Sequence, residues 1–200
     1  MNQRKILSIV VGVVIAIIMV YSFSGGQTTE EYIEEILEER EEADIFMKNN
    51  SDSPFKDSEV KYEGLKYYEP NIKYKITARF TKAEPAKIVK LGTNDGVERE
   101  YLTYGKAEFS FADKPQTLLI LESVEDEKLF LAFGDETSAI ETYGAGRYLD
   151  VTHSGGNTIV LDFNLAYNPY CAYADGFSCP LPPRENLLSV AIEAGEKTYQ

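Results

Sequence analysis

Beyond Pro54 the apolar residues recur at every second position, and that period limits the fold more than any other feature of the chain. Tyr74, Ile76, Ala78 and Phe80 alternate with Lys75, Thr77 and Arg79, as in a strand with one buried and one wet face. Comparable runs occupy 87–91, 98–104, 107–111, 117–123, 129–133, 147–151 and 158–163. The turn signals between them are Asn94-Asp95-Gly96, Asp113-Lys114-Pro115, Glu125-Asp126-Glu127 and Ser154-Gly155-Gly156-Asn157. Connections this short favour antiparallel neighbours. The expected fold is therefore mainly β (α+β): an antiparallel meander forming one curved sheet, barrel-like or a sandwich, with an amphipathic helix in front of it.

That helix is predicted over 29–48. Thr28 with Glu31 three residues on has the spacing of a capping box. Ile33, Ile36, Leu37, Ala43 and Met47 recur at three- and four-residue steps, while Glu30, Glu31, Glu34, Glu35, Glu38, Glu39, Glu41 and Glu42 cover the other faces. Arg40 falls on the apolar stripe. Its charge must either escape along its stem or meet a carboxylate, and the C-terminal loops offer Glu141, Asp162 and Glu185.

Ahead of the helix, 6–23 is an uncharged, mostly aliphatic run of eighteen residues, reaching about 27 Å as a helix. Arg4 and Lys5 precede it and no cation follows until Arg40, which orients the N-terminus to the cytoplasm. The expected organisation is a cytoplasmic tip 1–5, a transmembrane anchor 6–23, a linker 24–29 and an extracytoplasmic β-rich domain 30–200. The protein is then a single-pass protein of the cell membrane with its C-terminal domain outside. The alternative is a cleaved signal peptide, for which Ser22-Phe23-Ser24 is a poor cleavage site.

Charge narrows the partners. The chain has 20 Lys+Arg against 33 Asp+Glu, a net charge of −13, which opposes nucleic-acid binding. One His and two Cys leave too few ligands for a multi-histidine or cysteine-rich metal centre, and no cofactor motif is present. Cys171 and Cys179 flank a seven-residue loop on the oxidising side of the membrane, where a disulfide is expected; free thiols or a nucleophilic Cys are the alternatives.

From Asp135 onward the polar residues no longer resemble strand exteriors. Residues 135–150 form a loop rich in Gly, hydroxyls and charge. Residues 162–173 set Asp, Asn and Tyr beside one another, and 179–186 is fixed by proline. These stretches carry a resemblance. Asp135-Glu136-Thr137-Ser138-Ala139-Ile140-Glu141-Thr142-Tyr143-Gly144-Ala145-Gly146-Arg147 is similar to the pattern Asp-x-Thr-Ser-Gly-x-Glu-Thr-Tyr-x-x-Gly-Arg. Asp162-Phe163-Asn164-Leu165-Ala166-Tyr167-Asn168-Pro169-Tyr170-Cys171 is similar to Asp-Phe-Asn-x-Ala-Tyr-Asn-Pro-x-Cys. With Arg40 and Asp44, Ser53-Pro54, Gly64-Leu65-Lys66-Tyr67 and Gly195-Glu196-Lys197, the chain resembles the family called domain of unknown function 1684 from about Glu31 to Tyr199. It departs at Gly134, where a basic residue is common, at Ala139 for a usual Gly, and at Tyr170 for a second Pro. The resemblance implies a class and no chemistry.

Arg40, Glu141, Tyr143, Arg147, Asp162, Asn164, Tyr167, Asn168, Glu185 and Asn186 form the candidate constellation: carboxylates, guanidinium groups and amides among aromatic rings. One reading is a buried hydrogen-bond network that anchors loops on the sheet. A second is a pocket for a small polar ligand in which Arg147 grips a carboxylate or phosphate. A third is a hydrolase using Glu141 with Asp162 or Glu185 as acid and base. The expected function is a membrane-anchored extracytoplasmic ligand-binding or structural module, with the hydrolase as alternative.

Overall fold

The computed structural model describes residues 27–56 and 58–199, so the expected tip, the anchor and the first half of the linker lie outside the described residues. Among the described residues no helix is long and apolar enough to cross a membrane.

Helix α1 spans Thr29–Asn49. Both halves of the capping box form: the Glu31 backbone N–H donates to the Thr28 hydroxyl (3.2 Å), and the Thr28 N–H donates to the Glu31 carboxylate (2.9 Å). The buried face is Tyr32, Ile36, Arg40 and Met47, turned from the predicted stripe, and Leu37 is exposed. The rotation has a polar cause. Tyr32 can bury its ring because Asp162 receives its hydroxyl, an option that Leu37 lacks.

Seven strands follow: β1 Lys75–Lys82, β2 Ile88–Gly92, β3 Glu98–Phe111, β4 Lys114–Ser123, β5 Leu129–Phe133, β6 Arg147–Asp150 and β7 Thr158–Asp162. They make one antiparallel sheet in the order β6-β5-β4-β3-β1-β7, with β2 also paired to β3. The sheet curls into a half-barrel rather than splitting into a sandwich. Where its ends approach, Tyr148 of β6 and Tyr167, beyond β7, exchange backbone hydrogen bonds of 2.8 and 3.0 Å.

Two boundaries differ from expectation. The runs 98–104 and 107–111 are one strand, whose register shifts between Thr103 and Gly105. A bulge absorbs the irregular step. At Gly105 an added Cβ would lie 2.4 Å from the Phe80 ring and 2.6 Å from the Thr81 carbonyl oxygen, so only glycine lets β1 and β3 come together there. The turn after β3 is at Ala112-Asp113, both at positive φ, while Lys114 and Pro115 already belong to β4. Positive φ at both central residues matches the twist of a tight hairpin.

The core fills the concave face with Tyr74, Ala78, Phe80, Leu118, Ile120, Leu131, Phe133, Leu161 and Phe163. The C-terminal tail completes it. Leu188, Val190, Ile192 and Ala194 alternate inward as a strand would, although they run outside the named strands.

Candidate functional site

The structure distributes the candidate residues over several polar networks. The first docks α1. The Tyr32 hydroxyl donates to the Asp162 carboxylate, 2.8 and 2.9 Å from its two oxygens, and accepts from the Asn164 side-chain amide at 2.8 Å. Asn164 also donates to the Asn71 carbonyl at 2.9 Å and accepts from the Asn71 N–H at 2.9 Å, while Lys75 lies 3.9 Å from Asp162. Burial, and then Asp162, hold the Tyr32 phenol well above its ordinary range.

Arg40 belongs to the same junction, but with partners other than those expected. It is 9% exposed, so it does not snorkel, and no ion pair among the described residues joins it to Glu141, Asp162 or Glu185. Its Nη atoms donate to the Tyr68 carbonyl at 2.8 Å and the Asn164 carbonyl at 3.2 Å, and its plane lies 4.5 Å from the centre of the Tyr67 ring. The expected carboxylate is missing because Tyr32 and Asn164 already occupy the Asp162 acceptors, whereas loop carbonyls stand free. Carbonyls satisfy N–H groups without neutralising charge, and burial pushes the guanidinium below its ordinary value.

A second network clamps the tail. Arg147 and Asp135, each with a side chain 1% exposed, pair at 2.9 Å. Arg147 also donates to the carbonyls of Ile192 (2.8 Å), Glu196 (3.2 Å) and Ala194, and Asp135 accepts from Thr137 and the Ile192 N–H. Arg147 is thus turned toward the tail and not toward a ligand space.

Glu196 anchors a third network. It is 1% exposed and accepts from the Asn168 backbone N–H (2.9 Å), the Asn168 side chain (2.8 Å) and the Tyr173 hydroxyl (2.6 Å). Desolvation pushes its carboxyl up to about 7 against the lowering effect of these donors. Gly195 permits the approach: at φ 73° an added Cβ would sit 2.6 Å from the Ala166 carbonyl oxygen.

The remaining candidates lie elsewhere. Asn186 is fully buried inside the sheet, its side chain accepting from the Leu119 N–H (2.6 Å) and donating to the carbonyls of Leu119 (3.0 Å) and Ala132 (2.8 Å). Glu141 is exposed and pairs with Lys197 at 3.2 Å; Glu185 is exposed in a short turn. Tyr143 donates to the Cys171 carbonyl at 3.4 Å and Tyr167 to Asp150 at 3.0 Å. Cys171 and Cys179 are at disulfide distance. No hydrogen bond or ion pair joins Glu141, Asp162 and Glu185 to one another among the described residues. No cluster of three or more His, Cys, Asp or Glu suited to a metal occurs among them either.

Two hollows remain. A broad groove of about 1090 Å³ is faced by Tyr101, Phe130, Tyr148, Tyr170 and Phe177 under an acidic rim. Its polar groups are largely engaged: Glu98 and Glu100 with Lys90, Asp126 with Lys128, and the Tyr148 hydroxyl with the Pro180 carbonyl. The second, about 540 Å³, lies between α1 and the 149–170 segment, with Ala43, Phe46, Leu65, Leu149 and Leu165 among its apolar lining. Arg40, Tyr67 and Glu196 reach it from three distant parts of the chain. Arg40 Nε, an atom buried from solvent, has no hydrogen-bond partner. The predicted constellation contained Arg40 but missed Tyr67 and Glu196; the inward alternation of the tail was the signal that would have found Glu196.

The family described as "Protein of unknown function (DUF1684)" matches residues 60–197, and the chain belongs to that family. The match begins after α1 and so does not include Arg40. An uncharacterized protein of Haloarcula marismortui, solved by solution NMR, is 35% identical with a TM-score of 0.66, the alignment covering 85% of this chain and 96% of that one. No curated protein matches.

Proposed function

We propose that this member of the family of unknown function is a membrane-anchored extracytoplasmic module that binds a small polar ligand in the cavity between α1 and the C-terminal segments. The observation that carries the reading is Arg40: a cation nine-tenths buried, held by two carbonyls and the Tyr67 ring without a carboxylate partner, at the edge of a hollow of ligand size. Tyr67 and Glu196 give the same hollow further polar groups. The apolar run 6–23 behind Arg4 and Lys5 supports the anchor and its orientation. The hydrolase reading has less support, because its carboxylates sit in separate networks.

The test is a thermal-shift and ligand-detected NMR screen of small metabolites against the full chain in lipid nanodiscs, repeated with Ala43→Phe, which narrows the cavity from the helix side. Saturable binding that Ala43→Phe removes supports the module. Binding unaffected by that change, or turnover of an ester, glycoside or phosphoester abolished by Glu141→Gln, would overturn it. A reporter fused after Gln200 is expected to be active only outside the cytoplasm.

A further inference from the structure

The chemistry of this cavity selects its occupant, an inference that rests on the binding reading above. We propose that the cavity takes a small monocarboxylate with an apolar body, its carboxylate set against the Arg40 guanidinium.

The body follows from the walls. Ala43, Phe46, Met47, Leu65, Leu149, Leu165 and Ala166 present hydrocarbon, and the Tyr67 and Tyr170 rings add aromatic surface. A fully polar molecule such as a sugar would leave hydroxyls facing these groups without partners. About 540 Å³ admits a body of a few carbons or one ring.

The head follows from the donors. Asn164 spends its side chain on Tyr32, Asn71 and Asp162. The Glu196 oxygens are taken by Asn168 and Tyr173, and Asp150 on the rim receives the Tyr167 hydroxyl. Arg40 remains: it borders the cavity, and its two hydrogen bonds use two of its five N–H groups. Its charge then separates one acceptor from another. No carboxylate of the described residues lies within ion-pair distance of Arg40; Glu69 and Asp162 act on it only from farther away. A carboxylate head supplies both the acceptor and the missing negative charge, whereas an amide supplies only the acceptor and an ammonium neither. Glu39 and Asp150, the carboxylates on the rim, are exposed, so water and salt screen their repulsion more than they screen the attraction of the buried guanidinium.

Benzoate, benzamide and benzylamine share one ring and differ in the head, so they separate these contributions. Their binding to the full chain in nanodiscs is measured by isothermal titration and by NMR, with empty nanodiscs as control. Benzoate is expected to bind at least about tenfold more tightly than the other two, a difference of about 1.4 kcal/mol. Ala43→Phe is expected to weaken all three, and Arg40→Gln to remove the preference for benzoate. Should Arg40→Gln fail to fold, the ranking of the three probes on the unmodified chain still decides. Benzamide or benzylamine binding as tightly as benzoate, with sensitivity to Ala43→Phe, would overturn the carboxylate assignment and leave the cavity reading in place. Absence of binding by all three also overturns this assignment, while the wider metabolite screen separately decides the cavity reading. Binding indifferent to Ala43→Phe would remove both.

Discussion

Glu196 should make stability depend on pH in the direction opposite to an ordinary ion-paired carboxylate. The side chain is 1% exposed, and burial raises its carboxyl from the usual 4.5 to about 7 in the folded protein. The unfolded chain keeps the lower value. Between these two values the folded state holds a proton that the unfolded state has released, so stability falls as pH rises through the interval. The contribution is fully present below about pH 4.5 and lost above about 7. A difference of this size corresponds to roughly 3 kcal/mol. The chain has 33 Asp and Glu residues, so the measurement needs a matched variant. Glu196→Gln removes the titrating group: its carbonyl can accept from one of the two Asn168 donors while its amide donates to the Tyr173 hydroxyl, and the loss of the other acceptor is the same at every pH. Urea denaturation of both proteins from pH 4 to 8.5 should show the variant gaining on the parent by roughly 3 kcal/mol across the range, with most of the change between 5 and 7. Parallel profiles would refute the reasoning, since they would mean that Glu196 titrates alike in the folded and unfolded chains.

Tyr32→Phe should cost about 2 kcal/mol by thermal denaturation, because it removes one acceptor of the Asn164 amide and a buried donor from Asp162. Asn186→Leu should cost about 3 kcal/mol or more, since the Leu119 N–H and two sheet carbonyls lose their partners in the core; a loss under 1 kcal/mol would count against that. Ala139→Gly should stabilise by about 0.5–1 kcal/mol, because Ala139 occupies φ 64°, where glycine carries no steric penalty. Reduction of Cys171–Cys179 should lower stability by roughly 2.5 kcal/mol through the freed loop, and an unchanged denaturation midpoint would contradict it.

The period of two located the strands because a half-buried sheet imposes it directly on side chains. The capping box likewise marked the start of α1. Errors arose where a polar group overrode an apolar pattern: Tyr32 took the buried face because Asp162 lies across from it, which no window of neighbouring residues reveals. The bulge at Gly105 resembled a gap between two strands because one extra residue breaks the alternation in sequence without breaking the ladder in space. The site was less legible. Asp135 and Glu196 are two of 33 acidic residues, and composition does not distinguish them. For Glu196 a local signal existed, as it stands in the inward phase of Leu188, Val190, Ile192 and Ala194; Asn71 offered none.

Hydrogen-bond partners explain why the predicted constellation did not form one pocket. A curled sheet with a gap between its edge strands must hold its loops and tail in place, and three carbonyls of that tail lie against Arg147. Asp135 binds the tail from the other side through the Ile192 N–H, and Asn168 and Tyr173 receive Glu196 as it arrives. Each of these polar groups gains its burial by fixing irregular chain to the sheet, where backbone has no ladder of its own. Arg40 departs from that pattern. Its two carbonyls secure α1, but no carboxylate of the described residues lies within ion-pair distance of it, and of Arg40 and Arg147 only Arg40 borders one of the hollows described above. That difference between Arg147 and Arg40 separates a cation serving the fold from one available to a ligand.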